Sequence, residues 1–327
     1  MKNHKNIMIL TFIVLMTTAF SQNCEDGFTY FPEIPENVTN INNNENCFSN
    51  DDLEALSDII NLNSMSYATA LDIGTQRWVS SELVSWVATY SPNGSNGVNE
   101  KISSLPSSIG NLTNLEILYL EWNDLQELPN DFSNLTSLTN LAISNNYLSS
   151  LPNISNLINL TFLDLGYNQL TELPESIGSL ENLNYLWIFN NQIQSLPESI
   201  CNLNLTWSGV DSNNYPYFAS GANQLCESSL VPDCVENSSN FEISLDQFYY
   251  SFLEDTPQNC DEECTLGDMN GDAGWNVLDI VALANCVLAS NCNDLANGCA
   301  GDMNGDGGWN VLDIVALANC VLASNCS

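Results

Sequence analysis

Apolar residues recur through residues 114–204 with a period of 22 or 23. Leu115, Leu118 and Leu120 with Asn123 return as Leu138, Leu141, Ile143 and Asn146. They return again as Leu160, Leu163, Leu165, Asn168 and as Leu183, Leu186, Ile188, Asn191, and a degraded fifth set runs Leu205, Ser208, Val210, Asn213. The alternation Leu-x-Leu fits a short strand with one face buried. Between strands, Leu128-Pro129, Leu173-Pro174 and Leu196-Pro197 open a turn, and Leu151-Pro152 opens one that is a residue shorter. Leu105-Pro106 closes an earlier unit whose strand is not evident. One such unit cannot bury its apolar face alone, so neighbours must stack on a shared core. The Asn column (Asn123, Asn146, Asn168, Asn191, Asn213) is read as a ladder bonding the backbone at the tight turn after each strand.

These residues resemble the leucine-rich repeat family, in the subclass with Leu-Pro in each turn. The resemblance covers about 110 residues. It implies an α/β-type solenoid with short parallel strands on its concave face. The repeats span 102–213, with an N-terminal cap at 22–101 and a C-terminal cap and linker at 214–263. In the first cap, Ser49-Asn50-Asp51-Asp52 before Leu53, Leu56, Ile59 and Ile60 predicts a helix start. Trp78, Leu83, Val84 and Trp86 suggest a second helical piece. Asn40–Asn50 reads as a solvated loop and 91–97 as a turn.

Composition narrows the function. Residues 1–21 have a basic start, an apolar run from Ile7 to Met16 and small residues before Gln22, the pattern of a secretory signal. Without them two basic residues, Arg77 and Lys101, face 40 acidic ones, a formal charge of −38. Such a chain repels nucleic acid and anionic lipid. The single histidine, His4, lies in the leader, so no imidazole remains for a Ser-His or Cys-His pair. Twelve cysteines in an exported chain read as disulfides. Cys24–Cys47 is the expected first bridge, with Cys201–Cys226 and Cys234–Cys260 in the middle; pairing among the last six stays open.

The last 64 residues, 264–327, hold two near-copies 34 apart. Asp268-Met-Asn270-Gly-Asp272-Ala-Gly274-Trp-Asn276-Val-Leu-Asp279 repeats as Asp302-Met-Asn304-Gly-Asp306-Gly-Gly308-Trp-Asn310-Val-Leu-Asp313. Side-chain oxygens at loop positions 1, 3, 5, 9 and 12, with a backbone carbonyl at position 7, can wrap a hard cation and suit Ca²⁺. Two calcium ions are expected, one per loop. The Asp at position 12 and the lack of a full preceding helix resemble dockerin type I repeats, implying a small all-α, EF-hand-like domain. In that family Ser/Thr at positions 10 and 11 and a later basic pair meet a cohesin. Here Val277-Leu278 and Val311-Leu312 stand at those positions, and the helices carry no basic residue.

On the strand face, Tyr119, Trp122, Phe162, Tyr167, Tyr185, Trp187, Phe189 and Trp207 are the candidate ligand-binding residues, with Phe162, Tyr185 and Trp207 in one column. Together these features predict a secreted or cell-surface, non-enzymatic protein. Its repeats bind a protein, peptide or glycan, and its C-terminal module tethers it to a partner or surface. The alternative is a cohesin-docked component of a polysaccharide-degrading assembly.

Overall fold

The computed structural model describes residues 24–41, 46–92, 97–226, 228–248, 252–260, 265–272, 274–292, 295, 297–323 and 326. Residues 1–21, expected to be a signal segment, lie outside them, as do Ala273, Cys264 and most of the 91–97 turn. Contacts divide the chain into two compact units, one ending at Gln258 and one starting at Asn259.

The first unit is organised by an eight-stranded sheet. Its strands are β2 (Val38–Ile41), β4 (Thr75–Val79), β5 (Glu82–Val87), β6 (Ile117–Tyr119), β7 (Asn140–Ala142), β8 (Phe162–Asp164), β9 (Tyr185–Trp187) and β10 (Phe218–Ala219), in that spatial order. Only β4 and β5 run antiparallel; all other neighbours are parallel. A short pair, β1 (Phe28–Tyr30) and β3 (Cys47–Ser49), precedes helix α1 (Asn50–Leu62). Cys24–Cys47 is bonded as expected. Ser49 caps α1 by accepting the N–H of Asp52, and Leu53, Leu56, Ile59 and Ile60 are buried.

Each coil is closed on the side opposite the sheet by a short turn of 3₁₀ helix after its proline: 107–111, 130–134, 175–179 and 198–202. Proline presets the backbone there and needs no N–H. Its carbonyl accepts the N–H of Ile109, Phe132, Ile177 or Ile200, each fully buried. The coil at Leu151-Pro152, one residue shorter, lacks this turn. Ile154 N–H instead donates to Ser176 Oγ at 3.2 Å.

The asparagine column bonds between coils. Asn168 Oδ1 accepts Leu148 N–H at 3.0 Å, and its Nδ2 donates to the carbonyls of Ile143 and Leu165. Asn123, Asn146 and Asn191 repeat the pattern. The residue before each one has positive φ: Trp122, Asn145, Tyr167 and Asn190 lie between 51° and 63°.

Four expectations need correction. Trp78, Leu83 and Trp86 belong to the β4–β5 hairpin, not to a helix, and β5 is the strand missing before Leu105-Pro106. The fifth strand is Phe218–Ala219, not the Leu205–Asn213 set. Its register partner is Leu186–Trp187, and Asn223 completes the ladder by accepting Ile193 N–H at 3.1 Å. Asn213 is exposed in the loop between. The Asn40–Asn50 stretch contributes to β2, β3 and α1, with 42–45 outside the described residues. Cys201 pairs with Cys234, which excludes both middle bridges expected from order along the chain. That bond ties the last 3₁₀ turn to the short helix α2 (Asp233–Glu236).

The second unit packs helices α3 (Val277–Ala289) and α4 (Val311–Ala323) around Leu283, Leu317, Met269 and Ala300. Cys286–Cys292 and Cys320–Cys326 close matching bridges inside each half. The halves pack reciprocally. A Cβ on Gly267 would lie 2.8 Å from Leu317, and one on Gly301 would lie 2.6 Å from Leu283.

Replacing Asn168 by Ala strands a buried N–H and buried carbonyls. The expected loss is roughly 3 kcal/mol, read from chemical denaturation. Asp52 gives a pH dependence. Burial pushes its carboxyl up to about 7, reinforced by Glu82 and only partly offset by the N–H of Leu83 at 2.7 Å. The folded state then holds a proton that the unfolded chain has released. Its stabilising contribution is complete below the ordinary carboxyl range and lost as pH rises through about 7. Asp52→Asn should therefore lose less thermal stability than wild type between pH 5 and 8, measured by calorimetric midpoint.

Candidate functional site

The register of the sheet places one residue from each strand in a row on the face away from the core. One row runs Ile117, Asn140, Phe162, Tyr185. It continues to Tyr217, whose ring stacks on Tyr185 at 5.5 Å. The next row runs Tyr119, Ala142, Asp164, Trp187, Ala219. Ala142 leaves room between Tyr119 and the larger side chains beyond it. The chain from 206 to 216 is inserted between the fourth and fifth coils and brings Asp211 and Tyr215 to the same place.

These residues enclose a cleft of about 490 Å³, lined by Tyr119, Phe162, Tyr185, Trp187 and Tyr215 with Glu121, Asp164 and Asp211. Phe162 and Trp187 meet edge to face at 4.9 Å, and the Trp187 ring lies 6.0 Å from Tyr215. Trp187 is fixed by its Nε1 donating to Pro216 carbonyl at 2.8 Å. Tyr185 donates to Asp211 Oδ2 at 2.9 Å. Asp211 also accepts the backbone N–H groups of Tyr215 and Asn213, and these bonds hold its carboxyl below the usual range. Burial and the adjacent Asp211 push the Tyr185 hydroxyl up to about 12, so it remains a donor. Glu121 accepts Thr89 Oγ1 at 2.5 Å, and burial raises its carboxyl. Burial also raises the Tyr119 hydroxyl, with the charges of Glu121 and Asp164 adding to the effect.

Of the candidates read from sequence, Tyr119, Phe162, Tyr185 and Trp187 converge on this cleft. Tyr167 and Phe189 do not line it. The hairpin β11 (Ile243–Leu245) and β12 (Leu253–Asp255) lies over them, packing Leu245 against Phe189 and accepting the Tyr167 hydroxyl at Leu245 carbonyl, 2.9 Å. Gly166 makes space for the Phe189 ring, which stands 2.6 Å from where a Cβ would lie. Trp122 stacks on Phe248 at 5.6 Å. Trp207 is not in the Phe162–Tyr185 column; it packs on core residue Phe218 at 5.1 Å. Asp211, Tyr215 and Tyr217 were not legible as site residues. The only signal was a polar-aromatic run, 211–217, interrupting the repeat.

In the second unit each loop gathers its oxygens around its own backbone. Asp268 Oδ1 accepts N–H groups from Gly271 and Asp272, and Asp272 Oδ1 accepts Gly274 N–H. Fully buried Asp279 accepts Asn270 and Asn276 N–H. Asp302, Asn304, Asp306 and Asp313 repeat this in the second loop. Asn276 and Asn310 cap α3 and α4 by accepting the N–H of Leu278 and Leu312. Gly271 and Gly305, at position 4, and Gly307, at position 6, have positive φ. Among the described residues no three carboxylate, thiol or imidazole groups stand close enough to hold a metal unaided. The side chains at loop positions 1, 3, 5, 9 and 12 are carboxylates and amides in both loops, and their oxygens are of the kind a hard cation takes. No lysine, arginine or histidine occurs in 259–327 to balance these carboxylates. Val277, Leu278, Val281 and Leu288 are exposed on α3, as are Val311, Leu312, Val315 and Leu322 on α4.

Family comparisons match both regions. A leucine-rich repeat model matches residues 114–135, and a second, of paired leucine-rich repeats, matches 136–178 and 158–204. A dockerin type I domain model matches 266–322. Solved structures with partial similarity include a leucine-rich repeat protein of Leptospira interrogans, 31% identical over 38% of this chain and 31% of that one, TM-score 0.33. Another is the plant peptide hormone receptor RGFR1 in complex with RGF2, 28% identical over 38% and 20%, TM-score 0.32. A plant ice-binding protein is 19% identical over 54% and 64%, TM-score 0.40. The chain spans less than two thirds of the length of each. No curated protein matches it.

Gly307→Ala puts a Cβ on a residue at φ 79°. About 1 kcal/mol of strain should weaken calcium binding to the second loop roughly fivefold, measured by calorimetric titration.

Proposed function

Since the chain carries leucine-rich repeats and a C-terminal dockerin type I domain, we propose that it is an exported, non-enzymatic binding protein. Its strand-face cleft takes the ligand, a protein, peptide or glycan, while its dockerin domain, loaded with two calcium ions, attaches it to a partner or surface. The observation that carries this reading is the pairing, in one chain, of an aromatic and acidic cleft with two oxygen-lined loops. In the first loop Asp268, Asn270, Asp272, Asn276 and Asp279 would hold the ion with the Gly274 carbonyl. In the second, Asp302, Asn304, Asp306, Asn310 and Asp313 would do so with that of Gly308. Calcium would relieve repulsion between carboxylates that no basic side chain offsets. Binding to the folded state alone stabilises it by mass action. Disulfides at both ends suit an oxidising exterior. No described helix is long and apolar enough to cross a membrane.

The dockerin match favours a second, narrower reading: a cohesin-docked component of a polysaccharide-degrading assembly. Exposed Val277-Leu278 and Val311-Leu312 would then demand a cohesin with an apolar contact surface.

Titrating the chelated full chain with calcium should show two ions bound, and one in Asp313→Asn. Affinity capture from the exported proteins and glycans of the source cells should lose one set of partners on chelation. It should lose another set in Phe162→Ala/Tyr185→Ala. No calcium uptake, or capture indifferent to both changes, sinks the reading. Binding of a recombinant type I cohesin only in calcium would establish the narrower one.

A further inference from the structure

Resting on the reading of the strand face as the ligand surface, we propose that the cleft seats an arginine side chain of a partner peptide. Its walls and its charge point the same way. Phe162 and Tyr185 each meet Trp187 nearly at right angles, 81° and 79°, so the rings form sides of a box rather than a flat platform. A pyranose stacks best on a flat platform. A cation is attracted to ring faces that turn inward around it. Three carboxylates, Glu121, Asp164 and Asp211, stand around the same box, and its lining contains no basic side chain. Lys101 is taken by Asp124 at 2.7 Å, and Arg77 lies on β4, with β5 between it and the first strand of the cleft.

The acceptors suit a planar donor. Asp211 is held ionised by the N–H groups of Tyr215 and Asn213 and by the Tyr185 hydroxyl, which leaves it a pre-oriented acceptor at the rim. Glu121 sits deeper, where burial disfavours its charge; a guanidinium beside it would reverse that. Guanidinium stacks on aromatic faces and donates to carboxylates in its own plane, and the lining brings aromatic rings and carboxylates together. The cleft, about 490 Å³, holds one such side chain with the adjoining peptide backbone.

The test uses the full chain in calcium, monitored by tryptophan fluorescence. The probes are the blocked pentapeptide Gly-Gly-Arg-Gly-Gly, its citrulline counterpart (isosteric but neutral) and cellohexaose. The arginine peptide should bind about tenfold tighter than the citrulline peptide. The preference should shrink in Asp211→Asn and in Glu121→Gln, with unchanged thermal midpoints. Glu175→Gln/Glu198→Gln, on the turns away from the sheet, controls for the general negative charge and should change nothing. Equal binding of the two peptides, or an equal loss in the control variant, overturns the proposal. Cellohexaose binding that disappears in Tyr185→Ala, without arginine binding, also overturns it while leaving the strand face as the ligand surface. If none of the probes binds, the arginine proposal falls, and the capture by Phe162→Ala/Tyr185→Ala decides the broader reading separately.

Discussion

From β6 to β10 each coil of the first unit turns its corner at an asparagine whose side chain does what backbone alone cannot. After three residues of strand the chain must bend, and its N–H and C=O groups would be left buried and unpaired. The amide of Asn146 takes up four of them at once, accepting Leu125 N–H and donating to the carbonyls of Leu120, Ile143 and Ser144. Because two of those groups belong to the preceding coil, the same side chain also fixes the stacking. Strand register follows, and with it the rows of outward side chains. The cleft is a consequence of that register: Phe162 meets Tyr185, and Asp164 meets Trp187, because Asn168 and Asn191 lock their coils in step.

Much of this was legible because the repeat is periodic. The strands at 117–119, 140–142, 162–164 and 185–187 fall where the leucine columns put them, and α1 begins where its cap residue predicts. What escaped were the two ends, each for a physical reason. In β5 and the residue after it the buried column is Leu83, Trp86, Ala88, where a large and a small residue share the volume of two leucines. The pattern of size is lost though the pattern of burial is kept. At the other end, β10 lies 32 residues beyond its partner rather than 22 or 23. With Leu205 just before it, the insertion carries Asn213 at decoy spacing. It also carries Asp211 and Tyr215, so the feature that hid the last strand is the one that completes the cleft.

The cysteines show the same limit. Pairing by order along the chain suited Cys24–Cys47, which had no competitor nearby. It misjudged Cys201, because the neighbour in space, Cys234, comes from a segment that folds back beneath the last coil. In the second unit the duplication left pairing open, and of its cysteines Cys286–Cys292 and Cys320–Cys326 bridge within their own halves. The two loops there, by contrast, were legible as a repeat, because residue types recur position by position across the 34-residue offset.

The left-handed residue before each ladder asparagine has a further consequence. Asparagine and glycine take that backbone shape with least strain, yet two coils use Trp122 and Tyr167. Both carry the returning C-terminal segment: Trp122 stacks on Phe248, and Tyr167 donates to Leu245. The strain spent there fastens a strap across the sheet. A solenoid rebuilt from averaged repeats would place asparagine at both positions, ease the local backbone, and lose its buckle, baring Phe189 to water. Idealisation of this fold would thus uncover the very surface that its irregularities close.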